Sequence, residues 1–354
     1  SRDSRAGPAP PFFFDHSATT VIYSLPPPPR ASALRAAPAA GANEVFELFF
    51  PLGARDFRSI GHKAIFVSNS YRTLGCIGWR HAEPILRSLA YALLMHESGN
   101  PRDRDDEADR PWRRNQELAE KFPEDWLGGK LDSAATGEML ATLRSGSNDD
   151  ACDRVVELLT RGVAPQSIWD ALHVRAAEML MQQPGIVAIH AVTTTNALQF
   201  AFNAAGEDRT RRLMLLQNAA FLPMFRGAME GRGRVEGTTV DALRESAAAR
   251  DQAPRTPAEI FAELGRNRAA GASQTLAFLA GGGGAAELID TARLLVFLKS
   301  DDAHDYKFSS AVLEDYYHVS PEWRDVYLAA NTAMLQNSAS RDSGLVARTR
   351  AALG

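Results

Sequence analysis

A histidine and a lysine lie three residues apart in the run Asp-Asp-Ala-His-Asp-Tyr-Lys, residues 301–307. In a helix, this spacing places His304 and Lys307 on one face, and the apolar Phe308 and Val312 continue that face into a core. An imidazole and an amine that enter a core together cost free energy unless they are paired or coordinated. Because imidazole is a common ligand for iron, zinc and copper, the run predicts a metal site that other histidines complete.

Eight histidines are available in the chain. Three of them, which lie in a Pro-rich segment, at a helix end and before a helix start, are interpreted as structural or surface residues: His16, His96 and His318. The other four candidates lie at helix starts or on apolar helix faces: His62, His81, His173 and His190. For each of these, the alternative interpretation is a hydrogen-bonded core histidine. The metal-site hypothesis therefore rests on how many such histidines the chain has.

Spacing limits which histidines can share one metal ion. His173 lies eleven residues before Pro184 and His190 lies six after it. At about 1.5 Å per residue, their depths along a helical hairpin differ by roughly 7 Å, which makes them poor co-ligands. His190 is preferred, because Thr193 and Asn196 offer polar groups that could orient it.

Apolar residues recur with helical spacing from about residue 56 to 336, and no alternating two-residue pattern with hairpin turns occurs. The sequence therefore predicts an all-α fold, a single multi-helix domain of packed antiparallel helices over residues 46–337. An extended Pro- and Ala-rich N-terminal arm over residues 1–45 is expected before it. A polar C-terminal tail over residues 338–354 is expected after it.

Composition excludes several classes of function. The net charge of -4 and the pI of about 6.1 argue against nucleic acid as a partner. No apolar run approaches the ~20 residues of a transmembrane helix. Cys76 and Cys152 form no metal or disulfide motif and are expected to be buried thiols. Both a cytoplasmic location and export after leader removal agree with the sequence, and the oligomeric state is not indicated.

Three short stretches resemble the questin oxidase family: His-Ala-Val-Thr-Thr-Thr-Asn-Ala-Leu over 190–198, His-Asp-Tyr-Lys over 304–307, and the small-residue helix around His62. The resemblance spans roughly residues 56–335 and leaves out the N-terminal arm. It implies a non-heme iron dioxygenase whose Fe(II), or another divalent metal, is held by four histidines and a carboxylated lysine. Lys307 would be that lysine, and His304 would be joined by three of the four other candidates.

The resemblance implies an oxygenase that activates O₂ for carbon–carbon cleavage or Baeyer–Villiger-like oxidation of a small aromatic or polyketide-like substrate. His62, His81, His190 and His304 would bind iron together with Lys307, and His173 is the reserve ligand. The candidate pocket residues are Tyr306, Trp169, Trp79, Phe200 and Asn196. For the four aromatic residues, core packing is the alternative role. The competing hypotheses are a non-catalytic metal- or heme-binding helical protein and a helical interaction scaffold.

Overall fold

The computed structural model describes residues 41–94, 105–250, 254 and 256–354. Within these residues the predicted all-α fold is confirmed: there are sixteen α-helices, no β-strand, and one isolated bridge between Lys130 and Val163. The helices are α1 Ala42–Ala54, α2 His62–Ile77, α3 Ala82–Leu94, α4 Arg110–Leu118, α5 Ser133–Ser145, α6 Asn148–Thr160, α7 Pro165–Gln182, α8 Ile186–Ala204, α9 Asp208–Glu230, α10 Val240–Ala248, α11 Pro257–Leu264, α12 Arg268–Ala280, α13 Ala285–Lys299, α14 Ala303–Asp315, α15 Pro321–Thr332 and α16 Gly344–Leu353.

The two ends of the chain differ from the predicted boundaries. Residues 1–40 of the expected arm lie outside the described residues, and α1 already begins at Ala42. The expected polar tail contains α16, whose first turn is capped by the Ser343 hydroxyl. That helix has no buried residue, so sequence hydrophobicity gives little sign of it.

Local sequence signals explain where many helices begin. Side chains at the N-cap position accept a hydrogen bond from a backbone N–H of the first turn and so satisfy a group that the helix leaves unpaired. A proline occupies the first turn where its missing N–H costs nothing, as at Pro165 and Pro321. The side-chain caps are Asp132, Ser147, Thr239, Asn267, Asp302 and Ser343.

Two central helices carry many of the buried polar residues. In α7, sixteen of eighteen residues are buried, and in α8 thirteen of nineteen are buried, so both helices are surrounded by neighbours. Helix α8 packs against α2, α7, α9 and α14. A single hydrophobic cluster extends from Val45 to Leu335 around them. Among the described helices, none has the length and hydropathy that a membrane crossing requires.

Candidate metal centre

Three histidines from separate helices meet at one point. His62 is the first residue of α2, His190 lies in the second turn of α8, and His304 is the second residue of α14. Each offers a ring nitrogen, and the three nitrogens lie within 4.8 Å of one another. The ring centroids of His62 and His190 are 4.3 Å apart, and those of His190 and His304 are 5.3 Å apart. Three of the predicted ligands therefore converge from three different helices.

Each ring is oriented by a hydrogen bond from its Nδ1–H. His62 donates to the carbonyl oxygen of Ser59, and His190 donates to that of Ile186 at 2.7 Å. His304 donates to the Asp302 carboxylate at 2.8 Å. Because a carbonyl oxygen only accepts, Nδ1 of His62 and of His190 carries the proton. In the neutral imidazole, a proton at Nδ1 leaves Nε2 with a free lone pair, as in metal-binding histidines.

The Nε2 atoms of His62 and His190 face each other at 3.0 Å. Two unprotonated nitrogens at this distance repel, and the contact becomes favourable only with a cation between them. Burial, together with the neighbouring His62 and His304, lowers the pKa of His190 to about 4, so the His190 ring is neutral at neutral pH. Two metal–nitrogen bonds of about 2.05 Å at a right angle place their nitrogens ~2.9 Å apart, so this spacing fits a metal ion with cis ligands.

A strained turn presents His62 to the other two rings. Ser59, Ile60 and Gly61 all have left-handed backbone conformations, with φ of 54°, 49° and 82°. For a β-branched residue such as Ile60 this conformation is costly, and strain of this kind persists only where surrounding contacts enforce it. The turn brings the Ser59 carbonyl oxygen under the imidazole of His62.

Ion pairs and aromatic packing hold the segment on either side of the turn. Before it, the Arg58 guanidinium donates to Asp109 at 2.6 and 2.9 Å and to Asp106 at 2.6 Å. After it, the buried Lys63 ammonium donates to the buried Asp56 carboxylate at 2.7 Å. Phe57 also packs edge-on against Phe221 and Phe225. These contacts hold in place the strained turn that positions His62.

The three-histidine site opens toward solvent on one side. His190 is 2% exposed, whereas the side chain of His304 is 43% exposed. All three rings lie in the first two turns of their helices, near the positive ends of the helix dipoles. The same dipoles favour an anion as a further ligand on the open side.

Lys307 lies one turn after His304, but its Nζ donates to Oδ1 of Asn196 at 2.7 Å. Burial and the nearby Arg72 guanidinium lower the pKa of Lys307 to about 8. Arg72 donates to the same Asn196 oxygen at 3.0 Å and to Glu314 at 2.8 Å. The amine of Lys307 is therefore in a polar network with Asn196, Arg72 and Glu314, and its carboxylation stays a prediction.

The fourth predicted histidine ligand, His81, and the reserve ligand, His173, both lie apart from the three-histidine group. His81 is exposed in the short 3₁₀ turn Trp79–His81. His173 is fully buried, with Nε2 against Oε1 of Gln199 at 2.8 Å and Nδ1 3.5 Å from the Asp315 carboxylate. His173 thus belongs to an internal polar network, in agreement with the spacing argument against pairing it with His190.

The five predicted pocket residues are spread over several environments. Trp79 packs edge-on against Phe46, and Phe200 lies under the Arg72 guanidinium at 4.2 Å. Trp169 lines a cavity of about 400 Å³ beside α7, and Tyr306 lines another of about 720 Å³ beside α14. Asn196 is buried and binds Lys307, as described above. Neither of these two cavities is lined by His62, His190 or His304.

Two orienting groups were missed by sequence reasoning. Asp302 accepts hydrogen bonds from both the ring and the backbone N–H of His304. Its position two residues before a histidine at a helix start was a usable signal, because N-cap aspartates are common. The Ser59 carbonyl oxygen had no such signal, since its position depends on the left-handed turn.

Comparisons with protein-family models, with curated proteins and with solved structures find no match to this chain.

Proposed function

We propose that this chain is a non-heme metalloenzyme that binds Fe(II) through His62, His190 and His304 and oxidises a small aromatic substrate with O₂. The observation that carries the proposal is the 3.0 Å contact between the two Nε2 atoms whose Nδ1–H groups both donate to carbonyl oxygens. Neutral nitrogen donors suit iron, and three ligands on one side of an ion leave its other positions open, as in non-heme oxygenases. Bound Fe(II) would supply the activation of dioxygen.

The residues around the three histidines have separable roles. The Ser59 and Ile186 carbonyls and the Asp302 carboxylate fix the tautomer and the direction of the three rings. Buried His190 keeps water from the inner side, while the exposed His304 borders the open side. The positive helix dipoles favour an anionic oxygen, such as a phenolate or a carboxylate of the substrate, at that side.

Lys307 would contribute an additional anionic oxygen if its amine takes up carbon dioxide. A neutral amine is required for that addition, and the pKa of about 8 makes the neutral form accessible near neutral pH. The Arg72 guanidinium, which now disfavours the ammonium of Lys307, would stabilise a carbamate. This carboxylated Lys307 is implied by the resemblance to the questin oxidase family. It is separable from metal binding by the three histidines.

Metal analysis of purified protein tests the proposal directly. We expect close to one equivalent of iron in the wild type, loss of the iron in His190→Ala, and retention in His81→Ala, the matched control at an exposed histidine. Oxygen uptake with hydroxylated anthraquinones and simpler phenols as probes then tests the reaction. One equivalent of zinc without oxygen uptake would support a metal site at the three histidines but reject the oxygenase activity. A Soret band in the absorption spectrum would favour the heme-binding hypothesis. If the purified wild-type protein contains no metal, the remaining hypothesis is the helical interaction scaffold.

Carboxylation has its own measurement. Protein equilibrated with ¹³C-labelled bicarbonate at pH 8 should show a carbamate resonance that is missing in Lys307→Met. If the wild type has iron but no such resonance, the three histidines alone carry the metal and the lysine role is rejected.

A further inference from the structure

A second cavity lies on α14, apart from the three histidines. Its volume is about 720 Å³, within the range of roughly 300–1,000 Å³ usual for small-molecule sites. Helix α2 contributes Arg72, helix α13 contributes Arg293 and Phe297, and the turn after α14 contributes Tyr317 and His318. None of the three clustered histidines lines it.

The charged groups of the cavity favour an anionic ligand. Two guanidinium groups line it, and Glu314 is its one carboxylate. The Arg72 guanidinium is held by Asn196, by Glu314 and by the face of Phe200, so it is already fixed before a ligand arrives. Among the described residues, Arg293 pairs only with the exposed Asp290, at 3.2 Å, and its side chain is 54% exposed. A planar guanidinium that is free to turn suits a carboxylate.

The apolar groups of the cavity favour a planar ring. Phe297 is 69% exposed and Tyr317 is 60% exposed, and both line it. Exposed aromatic side chains that border one cavity are a recognised mark of a binding site, whereas single exposed apolar residues are ordinary. Val296 and Leu313 add aliphatic surface to the same wall.

His318 supplies a directed polar group at the end of the cavity. Its Nδ1 is 3.7 Å from the carboxylate of Asp315, which is fully buried, and its backbone N–H donates to the Asp315 carbonyl at 2.8 Å. The Asp315 carboxylate raises the pKa of His318. Asp315 also accepts from Asn196 at 2.7 Å and from Tyr327 at 3.3 Å, so its position is fixed. When His318 is protonated, which the raised pKa favours, its other ring nitrogen is an N–H donor.

We propose that this cavity is a binding site for a small aromatic carboxylate, separate from the metal centre. Arg293 and Arg72 would take the carboxylate, Phe297 and Tyr317 would flank the ring, and His318 would donate a hydrogen bond. The site requires no metal ion, so this proposal can be tested independently of the proposed oxygenase activity.

Calorimetric titration with 2-naphthoate tests the site, with the uncharged 2-naphthamide as a ligand control. We expect 2-naphthoate to bind the wild type with a stoichiometry of one and the amide to bind about tenfold more weakly or worse. The affinity for 2-naphthoate should fall about tenfold in Arg293→Gln and in His318→Gln. It should not change in Arg209→Gln, which alters an arginine beside a different cavity.

Several results would overturn the inference. The first two are that 2-naphthoate does not bind the wild type, or that 2-naphthamide binds it as tightly as 2-naphthoate does. The other two are that both cavity variants bind 2-naphthoate with wild-type affinity, or that Arg209→Gln loses as much affinity as they do. Titration after treatment with EDTA separates this site from the metal centre. Unchanged affinity supports a separate site, and loss of binding on metal removal rejects it. Thermal unfolding by circular dichroism verifies that each variant is folded, and Arg293, being exposed, gives a variant with little structural risk.

Discussion

Nε2 of His62 lies 3.0 Å from Nε2 of His190, although the two residues are 128 positions apart in the chain. When both imidazoles are neutral and their Nδ1–H groups donate to Ser59 and Ile186, neither Nε2 carries a proton. Two facing lone pairs are a destabilising contact in a metal-free protein. A metal ion would convert it into a favourable one, so we expect the bound metal to raise the melting temperature by mass action.

The carboxylate of Asp302 should matter for metal affinity beyond its role as a helix cap. Serine at this position still caps α14 but is too short to reach the imidazole of His304. We therefore expect Asp302→Ser to weaken metal binding about 10- to 100-fold, with little loss of stability. Competition with a fluorescent chelator measures the affinity, and Asp301→Ser is the neighbouring control. Equal metal affinities in Asp302→Ser and Asp301→Ser would show that the Asp302 carboxylate does not contribute to metal binding.

Gly61 should be intolerant of alanine, whereas Gly75 in the same helix region should accept it. A Cβ at Gly61 would lie 2.2 Å from Oγ1 of Thr194, on a backbone with φ of +82°. We expect Gly61→Ala to lower the free energy of unfolding by roughly 1–3 kcal/mol and to weaken metal binding, because the turn before His62 must move. A Cβ at Gly75 meets no atom within 4 Å, so Gly75→Ala should raise stability by about 0.5–1 kcal/mol.

Urea denaturation of both glycine variants gives the comparison. A Gly61→Ala variant with wild-type stability and wild-type metal affinity would show that the left-handed turn is not needed to place His62.

The fold was predictable because helical periodicity is local, while the metal site depends on how helices pack. His304 and its face were identified from spacing within α14, and the spacing around Pro184 correctly separated His173 from His190. Both His62 and His81 were predicted as ligands from the sequence, since both open a helical segment. What distinguishes them is the Ser59–Gly61 turn, whose left-handed conformation at Ile60 contradicts the preference of a β-branched residue.

The buried Asp315 illustrates the other limit of sequence reasoning. It accepts hydrogen bonds from Asn196 on α8 and Tyr327 on α15, and it lies beside His173 of α7. These partners are brought together only by the packing of four helices. A pattern along one helix therefore gives no indication that a carboxylate at the end of α14 organises a polar core.

The two cysteines should differ in reactivity. Cys152 is buried in α6, and burial raises the pKa of its thiol to about 12, so almost no thiolate forms at pH 8. Cys76 is exposed at the end of α2, which corrects the expectation that both thiols are buried. We expect a disulfide reagent to titrate one thiol in the native protein and two in guanidinium chloride. Modification of native Cys76→Ser would contradict the burial of Cys152.

The pH dependence of stability should reveal the desolvated amine of Lys307. Its pKa is lowered from 10.5 to about 8, so between these values the unfolded chain holds a proton that the folded chain has released. The free energy of unfolding contributed by Lys307 therefore rises with pH from about 8 to 10.5, and below pH 8 the buried ammonium costs roughly 3 kcal/mol. Lys307→Met should lack this rise, so its stability relative to the wild type should be greatest at pH 7 and should decline toward pH 10.5. Urea denaturation across this range, with exposed Lys121→Met as the control, measures the difference, and a pH-independent difference would mean that the ammonium is not desolvated.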